Sequence, residues 1–161
     1  MTDNDPFPDI RDAEPENAEA IFELQRLAFR RQALLYDDPA LPPLVQTLEE
    51  LRTDFRTHTF LKAVTGDRIV GSVRGRVEGD VCFVSRLIVH PEVQNRGVGK
   101  ALMRAIEERF DSVVRYELYT GHKSVKNLAL YEGLGYVRFR EEPQSDKVML
   151  IHMRKERTTG R

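Results

Sequence analysis

Gly97 and Gly99 stand where an apolar strand ends and an amphipathic helix opens, within the run His90-Pro91-Glu92-Val93-Gln94-Asn95-Arg96-Gly97-Val98-Gly99-Lys100. A junction of this kind can hold a phosphate. Ala101, Leu102, Ala105, Ile106 and Phe110 recur downstream at helical spacing, while Lys100, Arg104, Glu107, Glu108 and Arg109 fall mostly on the other face. The spacing predicts a helix from about Val98, whose first-turn N–H groups lack intrahelical partners and whose dipole places roughly half a positive charge there. Glycine at 97 and 99 would let an anion reach those donors without a Cβ in the way, and Arg96 and Lys100 add mobile positive charge. Two better-known phosphate loops do not fit. The nucleotide P-loop needs glycine and Ser or Thr where Gln94 and Ala101 stand, and the dinucleotide fingerprint needs a third glycine where Leu102 stands.

A second candidate is Tyr131, in the run Asn127-Leu128-Ala129-Leu130-Tyr131-Glu132-Gly133-Leu134-Gly135-Tyr136. Leu128, Tyr131 and Leu134 are spaced for a helix, Gly135 suits its C-terminal stop, and Tyr136 to Phe139 reads as the next strand. Alone, Tyr131 reads as a half-buried aromatic on an amphipathic helix. Together the two segments resemble the GCN5-related N-acetyltransferases. The family's pyrophosphate loop reads Gln or Arg, two residues, Gly, any residue, then Gly or Ala, which Gln94, Gly97 and Gly99 match; its later motif ends a helix in Leu-Tyr-Glu-x-Leu-Gly-Phe or Tyr. The motifs agree in order and separation, and the resemblance covers about residues 7 to 154.

The resemblance implies acetyl-CoA as co-substrate, with no metal. Its pyrophosphate would lie on Gln94, Asn95, Arg96, Gly97, Val98, Gly99 and Lys100, and its pantetheine arm would pair like an added strand with backbone groups of Leu87, Ile88 and Val89. The implied reaction is direct attack by a neutral primary amine on the thioester in a ternary complex. A backbone N–H near Ile88 or Val89 would hold the oxyanion, and Tyr131 would give the departing thiolate a proton or a hydrogen bond. The base is where this chain departs from better-defined members. Phe83 and Tyr119 stand where a carboxylate is found in some of them, so Glu117, on the same strand face as Tyr119, is the nearest substitute, with an ordered water chain as its rival. Many relatives carry Asn seven residues before the tyrosine, whereas this chain has Ser124 there and Asn127 four before. Either could cap the helix or bond the CoA arm, and capping is the simpler account of Ser124.

The amine acceptor, a small molecule or a peptide, is not specified. The resemblance assigns its site to the first two helices and their connection, from Tyr36-Asp37-Asp38 to Leu44, and to the late strands. Asp37 and Asp38 would suit a cationic amine, although an exposed turn is the simpler reading. Two rival functions stay open, a non-catalytic acyl-CoA sensor and a nucleotide-binding module.

These residues need a scaffold, and 161 residues are enough for one domain with a full core. The order of elements predicts an α/β fold of the α+β type, with about four helices and a mixed, mostly antiparallel sheet of about seven strands. By resemblance the sheet splays between its fourth and fifth strands. A strand at 7–13 precedes a helix from Pro15 that carries Ala20, Ile21, Leu24, Leu27, Ala28 and Leu35 at core spacing, and residues 37–43 break it. A second helix at 46–55, capped by Thr47, leads to hairpin strands at 59–65, 69–78 and 81–89. Strands at 113–119, 136–141 and 148–153 complete the sheet, and residues 1–6 and 155–161 read as flexible ends.

A net charge of -1 gives no electrostatic case for nucleic acid or an anionic membrane as a partner. No signal peptide or membrane-length apolar run is present, so a cytoplasmic location is expected, and a homodimer stays open. Cys82, the single cysteine, sits in an apolar strand and reads as a buried packing residue on the face opposite Phe83, Ser85 and Leu87. His58, His90, His122 and His152 show no metal-ligand spacing.

Overall fold

A computed structural model describes residues 6–157. Its elements run β1 (Asp9–Asp12), α1 (Ala18–Tyr36), α2 (Pro42–Val45), α3 (Leu48–Asp54), β2 (Thr59–Thr65), β3 (Arg68–Glu78) and β4 (Val81–Val89), then α4 (Val98–Arg109), β5 (Arg115–Gly121), α5 (Val125–Gly133), β6 (Val137–Pro143) and β7 (Met149–Glu156). The seven strands form one sheet in the order β1-β2-β3-β4-β5-β7-β6. Short turns after β2 and β3 force antiparallel neighbours, whereas the α4 crossover returns the chain parallel, so β4 and β5 are the one parallel pair. That pair is short. It joins only Val81 to Arg115, Cys82 to Tyr116 and Phe83 to Glu117, beyond which the strands part. The sheet is therefore mixed, as the order of elements predicted, and splayed between its fourth and fifth strands, as the resemblance implied.

Helices α4 and α5 cover one face. Leu102, Met103 and Ile106 of α4 are completely buried and share a core with Val73, Cys82, Leu118, Tyr131 and Tyr136. Burying each of these large apolar side chains is worth about 1.5–3 kcal/mol, so this stripe rather than helix propensity fixes α4 on the sheet. Helices α1 and α3 cover the opposite face through Ala18, Ile21 and Leu51, which cluster with Phe60 of β2. Thr47 caps α3 as expected, accepting from Glu50 N–H at 3.1 Å while the Glu50 carboxylate accepts from Thr47 N–H at 2.8 Å.

Four details depart from the sequence reading. First, the inner face of α1 carries Ala18, Ile21, Leu24, Gln25 and Tyr36, while Ala20 and Leu35, both expected in the core, are exposed. The helix turns polar side chains toward the sheet, which a count of apolar spacing cannot see. Second, a one-turn helix, α2, forms inside the proline-rich connection, because Pro42 suits a first helical position that needs no N–H. Third, β7 runs past Met153 to Glu156, and Lys155 bonds Glu107 at 2.7 Å, so positions 155–157 are not a loose end. The rest of the expected flexible ends, 1–5 and 158–161, lies outside the described residues.

The fourth departure matters most for the site. Ser72 faces Ile88 and Arg74 faces Ser85, so two steps on β3 match three on β4, and Arg86 adopts a left-handed φ of 53°. This β-bulge reverses the alternation of β4. Leu87 turns onto the α4 face, 3.7 Å from where a Cβ on Gly99 would lie, and thus shares the face of Cys82 rather than opposing it. No described helix is long and apolar enough to cross a membrane.

Candidate active site

The gap between β4 and β5 is a cleft. Its walls bring together Ser85, Arg86 and Leu87 of β4 with Tyr119, Thr120 and Gly121 of β5. Tyr36, Leu41, Pro42 and Pro43 of the α1–α2 region close one side, with Val148 just before β7 and Leu150 within it, and Asn127 and Tyr131 of α5 close another. Parts of both segments named from the resemblance line the cleft, namely Tyr36 and residues 41–43 of the acceptor connection and Leu87, Ser124, Asn127 and Tyr131 of the donor site.

The glycine loop lies just beyond β4. The Gln94 amide donates to Val89 O at 3.2 Å, which ties the loop to the strand end. Asn95 and Gly97 are left-handed, with φ of 65° and 87°, so the backbone alternates in handedness before α4 begins. Gly97 is the N-cap, and a Cβ there would meet nothing within 4 Å. The approach to the first N–H groups of α4 is therefore open on the Gly97 side, and a pyrophosphate could be held there. Gly99 has another role. A Cβ at 99 would touch Leu130, Leu87 and Val89 at 3.5, 3.7 and 3.8 Å, ordinary packing distances, so it would face the hydrophobic wall and not an anion. Arg96 is half-buried and Lys100 exposed beside the loop.

Tyr131 is positioned by its own motif. Gly135, at φ 101°, turns the chain so that Tyr136 N–H donates to Tyr131 O at 3.0 Å and Gly135 N–H to Glu132 O at 3.1 Å, the two bonds of a Schellman stop. The turn swings Tyr136 under Tyr131, ring centroids 6.0 Å apart and tilted edge-on. Tyr136 in turn donates to Glu107 Oε2 at 2.9 Å, and Glu107 accepts from Lys155 at 2.7 Å. Tyr136 therefore locks the Tyr131 ring and lies just before β6 rather than opening it. Burial raises the Tyr131 phenol pKa well above its ordinary value, so the group keeps its proton.

Ser124 does not cap α5. Although it stands at the N-cap, its side chain makes no cap bond; it donates to Gln32 Oε1 at 2.9 Å and lies 2.8 Å from the Tyr36 hydroxyl, which accepts from Lys123 N–H at 2.9 Å. A bond that ties α1 to the β5–α5 loop outcompetes a local cap because both oxygens are buried and need partners. Gly121 is required beside it, since any Cβ there would overlap the Tyr36 hydroxyl. Asn127 lines the cleft and reaches Thr120 Oγ1 at 3.5 Å.

Glu117 sits at the closed end of the gap, opposite Phe83, where it accepts from Arg115 Nε at 2.8 Å. It is not among the cleft-lining residues. Asp37 is the left-handed C-cap of α1 and Asp38 bonds Ala40 N–H, so both serve the turn and neither lines the cleft. Cys82 is fully buried and burial raises its thiol to about 12, which leaves it inert as a nucleophile at neutral pH. Among the described residues, no group of three or more His, Cys, Asp or Glu is placed to hold a metal ion.

Sequence reasoning missed Gln32 and Arg86 as part of this cleft, and it named Tyr36 only as the start of the acceptor connection. The signal for Arg86 was available: a charged residue within the apolar run Val84-Ser85-Arg86-Leu87-Ile88-Val89 is out of place in a buried strand.

Comparison with known proteins bears on this geometry. A family model described as an acetyltransferase (GNAT) domain matches residues 38–157. The chain is similar to the PaiA N-acetyltransferase of Thermoplasma acidophilum solved in complex with coenzyme A, at 18% identity over 92% of this chain and 98% of that one, with a TM-score of 0.77. It is also similar to the ribosomal-protein-S18-alanine N-acetyltransferase of Escherichia coli, at 17% identity over 94% and 95%, TM-score 0.78. A third likeness is to YncA of Salmonella typhimurium with its cofactor acetyl-CoA, at 13% identity over 96% of both chains, TM-score 0.75. Comparison with curated proteins finds no match. At these identities the solved structures speak to the fold alone. The family model spans well over half of the sequence and contains both glycine and tyrosine motifs, and on that ground the chain belongs to the GNAT acetyltransferase family.

Proposed function

We propose that this protein transfers an acetyl group from acetyl-CoA to a primary amine by direct attack in a ternary complex. The observation that carries the reading is the gap between β4 and β5, with Tyr131 on its wall and the open N-terminus of α4 at the end of β4. The pyrophosphate rests on the Gln94–Lys100 loop, and the pantetheine arm lies along the unpaired edge of β4 at Leu87, Ile88 and Val89. The amine nitrogen attacks the thioester carbonyl, and a backbone N–H near Ile88 or Val89 holds the oxyanion. When the carbon–sulfur bond breaks, Tyr131 hydrogen-bonds the departing thiolate or gives it a proton, and in the latter case water returns to Tyr131 the proton taken from the amine. Among the described residues no Asp, Glu or His lines the cleft, so the amine loses its proton through water, with Glu117 a remote alternative held by Arg115.

The same lack of a carboxylate favours the rival reading of an acyl-CoA sensor. An amine-panel screen for CoA release, paired with melting curves, separates the two. Acetyl-CoA at about 100 times its dissociation constant should stabilise the fold by about 2.7 kcal/mol, and some amine should accelerate CoA release. Stabilisation without turnover across the panel would favour the sensor. A shift with ATP and none with acetyl-CoA would point to a nucleotide-binding module.

A further inference from the structure

We propose that the acceptor amine carries a carboxylate and that Arg86 holds that carboxylate on the inner wall of the cleft. The inference rests on the acetyltransferase reading and names the substrate class of that site. Four observations carry it.

Among the cleft-lining residues Arg86 is the one charged side chain; no Asp, Glu or Lys accompanies it. Its backbone is left-handed at φ 53°, a conformation costly for a side chain with a Cβ, and the bulge that imposes it sends Arg86 to the α1 face and Leu87 to the other. The charges around it do not cancel. Arg74 and Arg86 share one acidic neighbour, Asp54, and Asp54 is already engaged by Arg74 Nη1 at 2.6 Å and by the Gln46 amide at 2.7 Å. Arg86 itself donates from Nη1 to Gln46 Oε1 at 3.0 Å, an oxygen that also accepts from the Gln25 amide at 3.0 Å. That is its one side-chain hydrogen bond among the described residues, so the guanidinium of this cleft-lining residue keeps further N–H donors to offer.

Two guanidiniums and one carboxylate leave an excess positive charge at a partly buried place. Burial pulls both arginine pKa values down, Arg74 to about 10, which marks the cost of holding these cations there. A ligand carboxylate offsets that cost, because it matches the planar fork of a guanidinium with two charge-assisted bonds. A polyamine would meet the opposite field. An amino acid, or another small amine with an acidic group within reach, fits the cleft, whose remaining walls are neutral.

The test compares matched acceptors. Amino acids and their primary amides present the same amine, but the amide's amine ionises lower and so would be favoured by ionisation alone. The expected result is the reverse: kcat/KM for the acid exceeds that for the amide by about tenfold to a hundredfold. Arg86→Gln should collapse the ratio toward one through KM, and Arg86→Lys should restore part of it, since it keeps the charge without the fork. An equal or opposite preference in the native protein overturns the proposal, as does an unchanged ratio in a folded Arg86→Gln variant. If succinyl-CoA replaces acetyl-CoA as the better donor and does so through Arg86, the carboxylate belongs to the acyl chain and the proposal falls. If no amine is acetylated, the functional reading fails separately, and binding of an N-acetylated amino acid against its amide to the CoA-loaded protein still decides the carboxylate site. Should Arg86→Gln not fold, the acid-against-amide comparison in the native protein decides alone.

Discussion

Burial raises the Tyr131 phenol above its ordinary range, so in the proposed reaction it would meet the thiolate fully protonated but as a weaker acid, a change that favours a hydrogen bond over outright proton transfer. Tyr131→Phe keeps the ring on Tyr136 and removes only the hydroxyl, so turnover should fall about 100-fold to 10,000-fold while acetyl-CoA still shifts the melting point. Unchanged turnover, with chemistry rate-limiting, would reduce Tyr131 to a packing residue. The raised phenol pKa also sets a pH expectation. Tyr131 loses no proton below about pH 10, so the rate should rise with the acceptor's own ionisation and show no falling limb from this residue in that range. A lysine amine, with pKa about 10.4 against about 7.7–8.0 for an α-amino group, carries a deprotonation cost larger by about 3–4 kcal/mol at neutral pH and should be the poorer acceptor. Glu117→Gln should change turnover by less than about tenfold, because its carboxylate is committed to Arg115 at the closed end of the gap. A loss of several hundredfold in a folded variant that still binds acetyl-CoA would make Glu117 the base.

At the scale of elements, the two loop glycines divide their tasks. Gly97 is left-handed and borders open space, so Gly97→Val should cost about 1–2 kcal/mol of backbone strain and abolish stabilisation by acetyl-CoA. Gly99→Ala should keep that stabilisation, since its Cβ would join Leu87, Val89 and Leu130 at packing distance. Melting curves with and without acetyl-CoA check both, and a Gly99→Ala protein that folds but no longer binds would undo the distinction. The sequence made the loop, the α4 stripe, the Thr47 cap and the Gly135 stop legible because each depends on neighbours a few residues away. It did not make the bulge at Arg86 legible, because the register of β4 is settled against β3. Nor could it show that Ser124 would bond Tyr36, 88 residues distant, rather than its own helix. Leu35 was misplaced for the same reason: tertiary partners for Gln25, Gln32 and Tyr36 decide which face of α1 turns inward.

For the whole molecule, acid should weaken the fold before its carboxylates titrate. Burial first, then the charge of Arg74, holds the His58 pKa below 6.5 in the folded chain, and His90 is lowered by burial and Arg68. The unfolded chain takes up these protons as pH falls through about 6.5, whereas the folded chain resists. Stability is thus present above that value and is lost as pH falls toward the folded pKa values. The melting temperature should drop between pH 7.5 and about 5, and His58→Gln should flatten the slope. A native protein with a flat profile over that interval would contradict the assignment.

The brevity of the β4–β5 pairing has a further consequence. After Phe83 and Glu117 the molecule carries two raw strand edges facing each other in its interior, a hazard that most sheets confine to their rims. Without ligand, the amides of β4 that look across the gap have no ladder partner on β5, so they should trade hydrogen for deuterium far faster than those bonded to β3. A pantetheine arm lying there would act as a removable strand. Adding CoA should slow exchange selectively at residues 87–89 and leave the β6–β7 ladder unchanged, whereas uniform slowing would signal general stabilisation instead. Co-substrate supply would then govern not only catalysis but also how long the chain survives proteolysis or pairing with another exposed strand.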